Sequence, residues 1–109
     1  MPKRDPTLLI QDMLTAIGRI ERYIQGKDHA AFIQDEMVID AVVRNLEVLG
    51  EAARQLPEEF TTKHPEVPWR LVSGLRNRIV HDYFGLDIEI IWQIISRDLQ
   101  PLKFQLQSL

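Results

Sequence analysis

Four stretches of the chain repeat apolar residues at steps of three and four positions, the spacing that places side chains on one face of an α-helix. No stretch shows the sustained alternation of apolar and polar residues that a half-buried β-strand requires. The pattern predicts an all-α fold, a four- to five-helix up-and-down bundle in which residues 1–109 form a single domain. The predicted helices cover residues 7–25, 35–56, 68–83 and 87–107.

Polar residues and prolines mark the limits of these helices. Asp5, Asp28 and Asp87 each stand where an N-cap carboxylate can accept a hydrogen bond from a free N–H of the first turn. Residues 57–68 hold three prolines and are predicted to be the one long connection between helices. Pro101 lacks the N–H that a helix interior needs, so the fourth helix should be bent or interrupted there.

The third predicted helix separates an apolar sector from a polar arc. At about 100° per residue, four apolar side chains fall within one sector, which is predicted to face the core. They are Leu71, Val72, Leu75 and Ile79. The other side chains are predicted to point outward, and they include Arg70, Ser73, Arg76, Asn77, Val80, His81 and Tyr83.

A continuous helix through residue 83 does not bring all of the polar side chains together. Asn77 and His81 are four positions apart and stack, as do Arg76 and Tyr83, which are seven apart. Arg76 and His81 diverge by about 140° on such a helix. Either the helix end distorts near Gly85, or a two-fold dimer brings a second copy of this face across a groove. We favour the dimer, because an isologous contact pairs the two motifs.

Composition narrows the possible chemistry. The chain has no cysteine, which excludes disulfides, thiolate metal sites and a cysteine nucleophile. His29 and His64 have no partner at ligand spacing, so we expect both to be solvated at the surface. We therefore expect no metal site, and the composition indicates no other cofactor.

Charge and hydropathy limit the partners. A net charge of −3 does not favour nucleic-acid binding unless the cations form a local patch. Residues 63–81 supply such a patch, because lysine and arginine outnumber the single acid, Glu66. No window reaches the roughly 18 apolar residues of a membrane span, and the N-terminus lacks the apolar core of a signal peptide. We expect a cytoplasmic protein.

The residues of the polar arc suit cleavage of an RNA phosphodiester. Arg76 can bind a phosphate through two hydrogen bonds and offset charge in the transition state. His81 can take a proton from the ribose 2′-OH or give one to the leaving 5′-oxygen, and Asn77 can orient either group. In the alternative interpretation, Arg76 and Arg78 are solvated or paired with acids such as Asp82, and the histidine caps helix carbonyls. The residue types alone leave both interpretations open.

Three further side chains are candidate supports for such a site. Arg70 and Arg78 could bind additional phosphate groups. Glu51 could face the third helix and hold the side chain of Arg76 or Arg78 in position, or it could be solvated. Trp69 and Trp92 are expected in the core or at an interface, since no interleaved basic and aromatic pattern surrounds them.

Residues 76–83, RNRIVHDY in one-letter code, resemble the R-x-x-x-x-H-x-Y signature of the HepT-like toxins of the HEPN superfamily. Asn77 also matches the polar residue that the wider superfamily places directly after the arginine. The similarity extends over nearly the whole chain. It is carried outside the motif by residues 45–52, 68–69, 74–75 and 86–92.

The resemblance implies a HEPN-like bundle that acts as a metal-independent endoribonuclease toxin, in a homodimer whose two motifs form one groove. Arg76 and His81 would be the catalytic pair, with Asn77 as their polar helper. Tyr83 looks like the tyrosine to which a cognate nucleotidyltransferase antitoxin of the MntA type attaches AMP, as in type VII-like toxin–antitoxin pairs. The AMP group would add bulk and negative charge where the substrate phosphate binds.

Functions of other classes stay open. The chain could be a non-catalytic helical module whose basic groove binds a nucleotide or an acidic partner surface, with Tyr83 only a modification site. It could also be an accessory fragment of a larger enzyme. A nucleotidyltransferase gene beside this one would favour the toxin pair, and its absence would favour the accessory fragment.

Overall fold

The computed structural model describes residues 4–80 and 85–109, and α-helices dominate this part of the chain. An isolated antiparallel bridge joins Val80 to Leu86. No helix among the described residues is long and apolar enough to cross a membrane. The all-α prediction is confirmed. The elements are α1 (Pro6–Tyr23), α2 (His29–Ile33), α3 (Glu36–Gln55), α4 (Glu58–Lys63), α5 (Trp69–Ser73), α6 (Leu75–Ile79), α7 (Ile88–Gln93), a π-helical segment (Ile94–Asp98) and α8 (Leu99–Gln107).

The two long helices α1 and α3 form the centre of the fold. Each buries its predicted apolar stripe, and the two helices pack against each other. α3 also contacts α2, α5 and α6, while α8 covers α1 and α7 contacts α2 and α6. The buried side chains of these two helices include Leu9, Ile10, Met13, Ile17 and Ile20 of α1 and Ile39, Val42, Leu46, Leu49 and Ala53 of α3.

Aspartate side chains begin α1, α2, α3 and α7. Asp5 and Asp28 accept hydrogen bonds of 2.7 and 2.9 Å from backbone N–H groups in the first turns of α1 and α2. Asp35 and Asp87 accept bonds of 3.1 Å at the starts of α3 and α7. The predicted caps Asp5, Asp28 and Asp87 are confirmed, because each carboxylate satisfies an N–H that has no partner within the helix.

The third predicted helix, over residues 68–83, is wrong in two respects. It is divided at Gly74 into α5 and α6, and it ends at Ile79. Val80 is already extended, with φ −97° and ψ 126°, and the backbone N–H of Asp87 donates to the Ile79 carbonyl at 2.8 Å. The pairing of this backbone with the following chain, through the Asp87 N–H and the bridge to Leu86, stabilises the extended conformation.

The early end of α6 removes the basis for the predicted stacking within the polar arc. That prediction assumed a continuous helix through residue 83. His81 and Tyr83 lie outside the described residues. The regular helix therefore ends before Val80 instead of near Gly85, and the gathering of the motif, by this helix end or by a dimer, stays a prediction.

Leu71 is an exception in the apolar sector of this segment. It is 57% exposed, whereas Val72, Leu75 and Ile79 are buried. The division at Gly74 changes the phase between α5 and α6, so residue 71 does not share the buried face of α6. The core prediction was wrong for Leu71 and is confirmed for the other three.

Residues 57–68 contain a short helix, α4, so the prediction of one long connection is wrong. The Phe60 ring lies 4.8 Å from the His64 ring and 6.2 Å from the ring of Trp69, measured between centroids. The indole N–H of Trp69 donates to the His64 carbonyl at 2.8 Å. These aromatic contacts join α4 to the start of α5, which the polar composition of the segment concealed.

His29 and His64 keep partly solvent-exposed side chains, as the sequence predicted, and each also contacts a carboxylate. The Nε2 atom of His29 lies 2.9 Å from both carboxylate oxygens of Glu89, and its ring packs edge-on against Trp92. The Nδ1 atom of His64 lies 3.6 Å from Glu66. The contact of His29 joins α2 to α7, which are distant in sequence, so local spacing could not predict it.

The fourth predicted helix continues from Ile88 to Gln107, and its interruption lies one turn earlier than expected. The distortion is the π-helical segment, Ile94–Asp98, and the chain is regular again at Pro101. Proline cannot donate to the carbonyl four residues before it, which belongs to Arg97 within this segment. The wider π-helical turn compensates for the hydrogen bond that Pro101 cannot donate, and it does so before the chain reaches the proline ring.

Candidate functional site

A close approach between α3 and α5 positions the segment that carries the motif. A Cβ atom on Gly50 would lie 3.1 Å from the carbonyl oxygen of Val72 and 3.7 Å from the Cβ of Leu75. The first distance is shorter than ordinary van der Waals contact, so the lack of a side chain at Gly50 permits this packing. Ser73 and Arg76 are thereby held beside α3.

Arg54 connects the same two helices by a polar contact. Its Nη2 atom donates to the carbonyl oxygen of Ser73 at 3.1 Å, and its Nη1 atom lies 3.6 Å from a carboxylate oxygen of Glu51. Glu51, which the sequence suggested as a support for Arg76 or Arg78, is therefore paired with Arg54. It acts on α5 through that arginine.

Arg76 and Asn77 are both exposed, as the outward arc predicted. Arg76 lines a groove of about 520 Å³ that follows α1 and α3, which we call the α1–α3 groove. One wall is a stripe of α1 residues three and four positions apart, and the other is formed by α3 between residues 44 and 55. The α1 stripe consists of Leu9, Asp12, Thr15 and Arg19, and Ser73 and Arg76 complete the lining from the side of α5 and α6.

Arginines outnumber carboxylates among the described residues of the α1–α3 groove. Five arginines and three acids of these residues line it, although the whole chain carries a net charge of −3. Two of the acids are paired within it, because Arg4 binds both oxygens of Asp12, at 2.8 and 3.1 Å, and Arg54 binds Glu51. The hydrogen bonds to Asp12 raise the pKa of the Arg4 guanidinium above its usual value.

Three arginines of the groove have no carboxylate within 4.0 Å among residues 4–80 and 85–109. They come from three different helices, and all three are exposed. A guanidinium with two free edges binds phosphate through two parallel hydrogen bonds. The groove can therefore bind a polyanion along its length. The three are Arg19 of α1, Arg44 of α3 and Arg76 of α6.

Arg78 and Arg70 lie apart from this groove. Arg78 lines a second, mainly apolar cavity of about 270 Å³, where its Nη2 atom is 3.8 Å from Asp98. The predicted structural role, an ion pair to a neighbouring helix, is thus present for Arg78. Arg70 is exposed on α5, and its carbonyl accepts a hydrogen bond from the Ser73 hydroxyl at 3.3 Å. The structure brings Arg76 together with Glu51 in one groove and separates both from Arg78.

The remaining site residues of the sequence prediction fall on residues 81–84. His81 and Tyr83 lie outside the described residues. The geometry of the predicted catalytic pair, Arg76 and His81, therefore stays a prediction. The chain on either side is tied together by the bridge between Val80 and Leu86. In the described ranges no three histidine, aspartate or glutamate side chains are grouped as a metal site would require.

Sequence reasoning missed Arg19 and Arg44 as candidate site residues. Their signal was present as polar positions at helical spacing, in which Arg19 follows Asp12 and Thr15 on α1 and Arg44 precedes Glu47 on α3. Such stripes usually mark solvated helix faces. The sequence does not show that the two stripes meet across the packed helices and reach Arg76.

Comparisons with known proteins agree on one family. Residues 13–109 match the family described as HepT-like ribonucleases. A candidate RNase of Methanocaldococcus jannaschii is 36% identical over 107 residues, covering 98% of this chain and 98% of that protein. A protein named "Probable ribonuclease HepT" from Thermococcus cleftensis is 34% identical over 107 residues, covering 98% of this chain and 97% of its own length. The search of solved structures gives no significant match.

Proposed function

This chain belongs to the family of HepT-like ribonucleases, and from that premise we propose that it is a metal-independent endoribonuclease toxin of a type VII-like toxin–antitoxin pair. The observation that carries the proposal is the exposed Arg76 of the R-x-x-x-x-H-x-Y motif, which lines a groove rich in arginine. RNA is the substrate class that such a groove and the names of the relatives have in common.

The proposed chemistry is transfer of the phosphodiester to the neighbouring 2′-oxygen. His81 takes the proton of the ribose 2′-OH, this oxygen attacks phosphorus, and the bond to the 5′-oxygen breaks. The 5′-oxygen leaves with a proton from the second motif or from water, giving a 2′,3′-cyclic phosphate and a 5′-hydroxyl. Arg76 binds the phosphate and offsets its growing charge, while Asn77 orients the reacting groups. The reaction uses no cofactor.

A homodimer remains part of the proposal. Its support is the family resemblance, because the helical geometry that favoured a dimer assumed a longer third helix. Arg78 and Arg70 have lesser roles in this scheme, since Arg78 is paired with Asp98 and Arg70 stands outside the groove. Glu51 acts as a support for Arg54, which holds the Ser73 carbonyl.

Control of the toxin is proposed to act at Tyr83. A MntA-like nucleotidyltransferase antitoxin would transfer AMP from ATP to the phenolic oxygen, releasing pyrophosphate. The attached phosphate would place negative charge two positions from His81, where it competes with the RNA backbone for cations. Both proteins would meet in the cytoplasm, and residues 1–109 would act as one domain.

The test is cleavage of a labelled RNA in excess EDTA by the wild-type protein and by the Arg76→Ala and His81→Ala variants. Arg97→Ala is a matched control, because Arg97 is also exposed and does not line the α1–α3 groove. We expect cutting with 2′,3′-cyclic phosphate ends, a loss of at least a hundredfold in both motif variants, and no loss in the control.

Equal cutting by all four proteins would mean that the activity comes from a contaminant. Absence of cutting on several RNAs, with the fold intact by circular dichroism, would favour the non-catalytic binding module. Cutting that requires a divalent metal would contradict the proposed mechanism while leaving the ribonuclease class intact.

A further inference from the structure

We propose that the α1–α3 groove is the track along which substrate RNA reaches the motif, and that Arg19 and Arg44 bind its backbone phosphates. The inference rests on the proposed ribonuclease function for its substrate class. It adds two binding residues that lie outside the motif, on helices that precede it in the chain.

The groove is long enough to hold a short segment of single-stranded RNA. The α1 stripe from Leu9 to Arg19 rises about 15 Å at 1.5 Å per residue. A stacked strand advances about 3.4 Å per phosphate, so this distance accommodates roughly four phosphates. Arg19 lines the groove on α1 and Arg76 lines it on α6, which makes one continuous surface between the added arginines and the motif.

The ion pairs of the groove leave these arginines available. Asp12 is bound by Arg4 and Glu51 by Arg54, so two of the three described acids in its lining are already neutralised. In the part of the chain that the structure describes, neither Arg19 nor Arg44 has a carboxylate within 4.0 Å. Phosphate groups can therefore bind them without first breaking a salt bridge.

The lining also indicates how RNA would be recognised. The hydroxyl of Thr15 and the amide of Gln55 offer hydrogen bonds to phosphate or ribose oxygens. Among the described lining residues none is aromatic, so that part of the lining offers no platform on which bases could stack. We expect binding that depends on charge and is nearly indifferent to base sequence.

Binding can be measured apart from cleavage with a fluorescein-labelled 2′-O-methyl RNA 12-mer, whose blocked 2′-oxygens cannot attack phosphorus. Fluorescence anisotropy would compare the wild-type protein with Arg19→Gln, Arg44→Gln and the double variant, and with Arg97→Gln as the matched control. Each groove variant is expected to weaken binding by roughly three- to tenfold, and the control by less than twofold.

The salt dependence of RNA affinity is a second readout, and a general loss of stability would not produce the same change in it. Each lost contact to single-stranded RNA should reduce the slope of log affinity against log salt concentration by about 0.7, and the double variant by about 1.4. In cleavage assays, the KM of each groove variant should rise by the factor found for its dissociation constant. Circular dichroism confirms that the compared variants are folded.

The outcomes separate this inference from the proposed function. If the wild-type protein cuts RNA but the groove variants bind like Arg97→Gln, the inference is overturned and the ribonuclease stands. If the protein binds through Arg19 and Arg44 but cuts no RNA, the groove stands as an RNA-binding surface, while its role as a substrate track fails together with the proposed function. Failure of the wild-type protein to bind the 12-mer overturns the inference, as does equally strong binding of poly-glutamate, which would identify an acidic protein as the occupant.

Discussion

The α1 and α3 helices and the α5–α6 segment are adjacent in space but differ in what holds them in shape. α1 and α3 have 18 and 20 residues, begin at aspartate caps and bury continuous apolar stripes. α5 and α6 have five residues each, and neither has a side-chain cap. Helices this short are unstable alone, because too few hydrogen bonds repay the cost of nucleation.

The motif-bearing segment therefore takes its shape from the helices that it contacts. Gly50 admits the backbone of α5, Arg54 holds the Ser73 carbonyl, and Val72, Leu75 and Ile79 enter the common core. The long helices act as the scaffold, and the position of Arg76 depends on contacts with it. Variants in the two regions should therefore have distinguishable consequences.

The largest expected effect is on global stability, in a comparison of Leu46→Ala with Leu71→Ala. Leu46 of α3 is fully buried, so its truncation leaves a cavity and should cost about 2–5 kcal/mol of unfolding free energy. Leu71 is 57% exposed, so its truncation should cost less than about 0.5 kcal/mol. Urea denaturation of both variants measures the difference.

An equal cost for the two leucines would contradict the division of the third helix at Gly74. It would mean that Leu71 is buried in solution, as a continuous helix predicts or as a partner molecule would cause. Repeating the measurement at several protein concentrations distinguishes these causes, since burial by a partner copy makes the midpoint depend on concentration.

A smaller effect is expected from alanine at two helical glycines. A Cβ on Gly18 of α1 has open space within 4 Å, so Gly18→Ala should stabilise the protein by about 0.5–1 kcal/mol through its better helix propensity. At Gly50 the same gain is opposed by the approach to the Val72 carbonyl at 3.1 Å. We expect Gly50→Ala to be less stable than Gly18→Ala by at least about 1 kcal/mol.

Thermal and urea unfolding of the two alanine variants provide the measurement, with the wild-type protein as the common reference. Equal stabilisation at both positions would show that α5 can move away from α3 at no cost. In that event the close approach at Gly50 could not be what positions Arg76, and α5 would not depend on α3 for its position.

The sequence predicted the scaffold well because its signals are local. A stripe of apolar residues and a carboxylate such as Asp5 act within a few positions, and the structure has α1 and α3 nearly at the predicted limits. It predicted the α5–α6 segment poorly because the determinants are distant. The break at Gly74 and the end at Ile79 depend on α3 and on the chain after residue 84.

The features of the candidate site also divide into those that local sequence predicted and those that depend on helix packing. Exposure of Arg76 and Asn77 followed from helical phase, because both lie within α6 before the helix ends. The pairing of Arg78 with Asp98 and the contribution of Arg19 and Arg44 to one groove depend on how helices pack, which spacing along one helix does not encode. The motif identifies the family, and the fold supplies the surface around it.

A more local effect is expected from Arg54→Gln. The variant loses the hydrogen bond to the Ser73 carbonyl and the contact with Glu51, both at an exposed position, so global stability should fall by about 0.5 kcal/mol or less. Backbone amides of α5 and α6 should exchange with solvent a few-fold to about tenfold faster, while those of α1 keep their rates. Hydrogen exchange followed by NMR tests this, and equal acceleration in both regions would contradict a local role.

The smallest expected effect concerns the start of α3 and its response to pH. Asp35 accepts a hydrogen bond from the Val38 N–H and lies 3.1 Å from Lys27. These contacts, the backbone hydrogen bond foremost, lower the pKa of Asp35 below its usual value. A lowered pKa means that the carboxylate stabilises the fold above its unfolded pKa of about 4, and that this contribution is lost as pH falls through the folded value.

Asp35→Asn keeps an oxygen that can accept from Val38 but removes the charge that pairs with Lys27. Its melting temperature should therefore lie slightly below that of the wild-type protein at pH 7, and the two should converge as the pH falls below about 4. Lys27→Gln, which removes the ion pair alone, should reproduce part of the loss at pH 7. A difference that persists unchanged at pH 2 would mean that the charge of Asp35 does not contribute, and that the cap stabilises α3 through its hydrogen bond alone, a contact for which α5 and α6 have no counterpart.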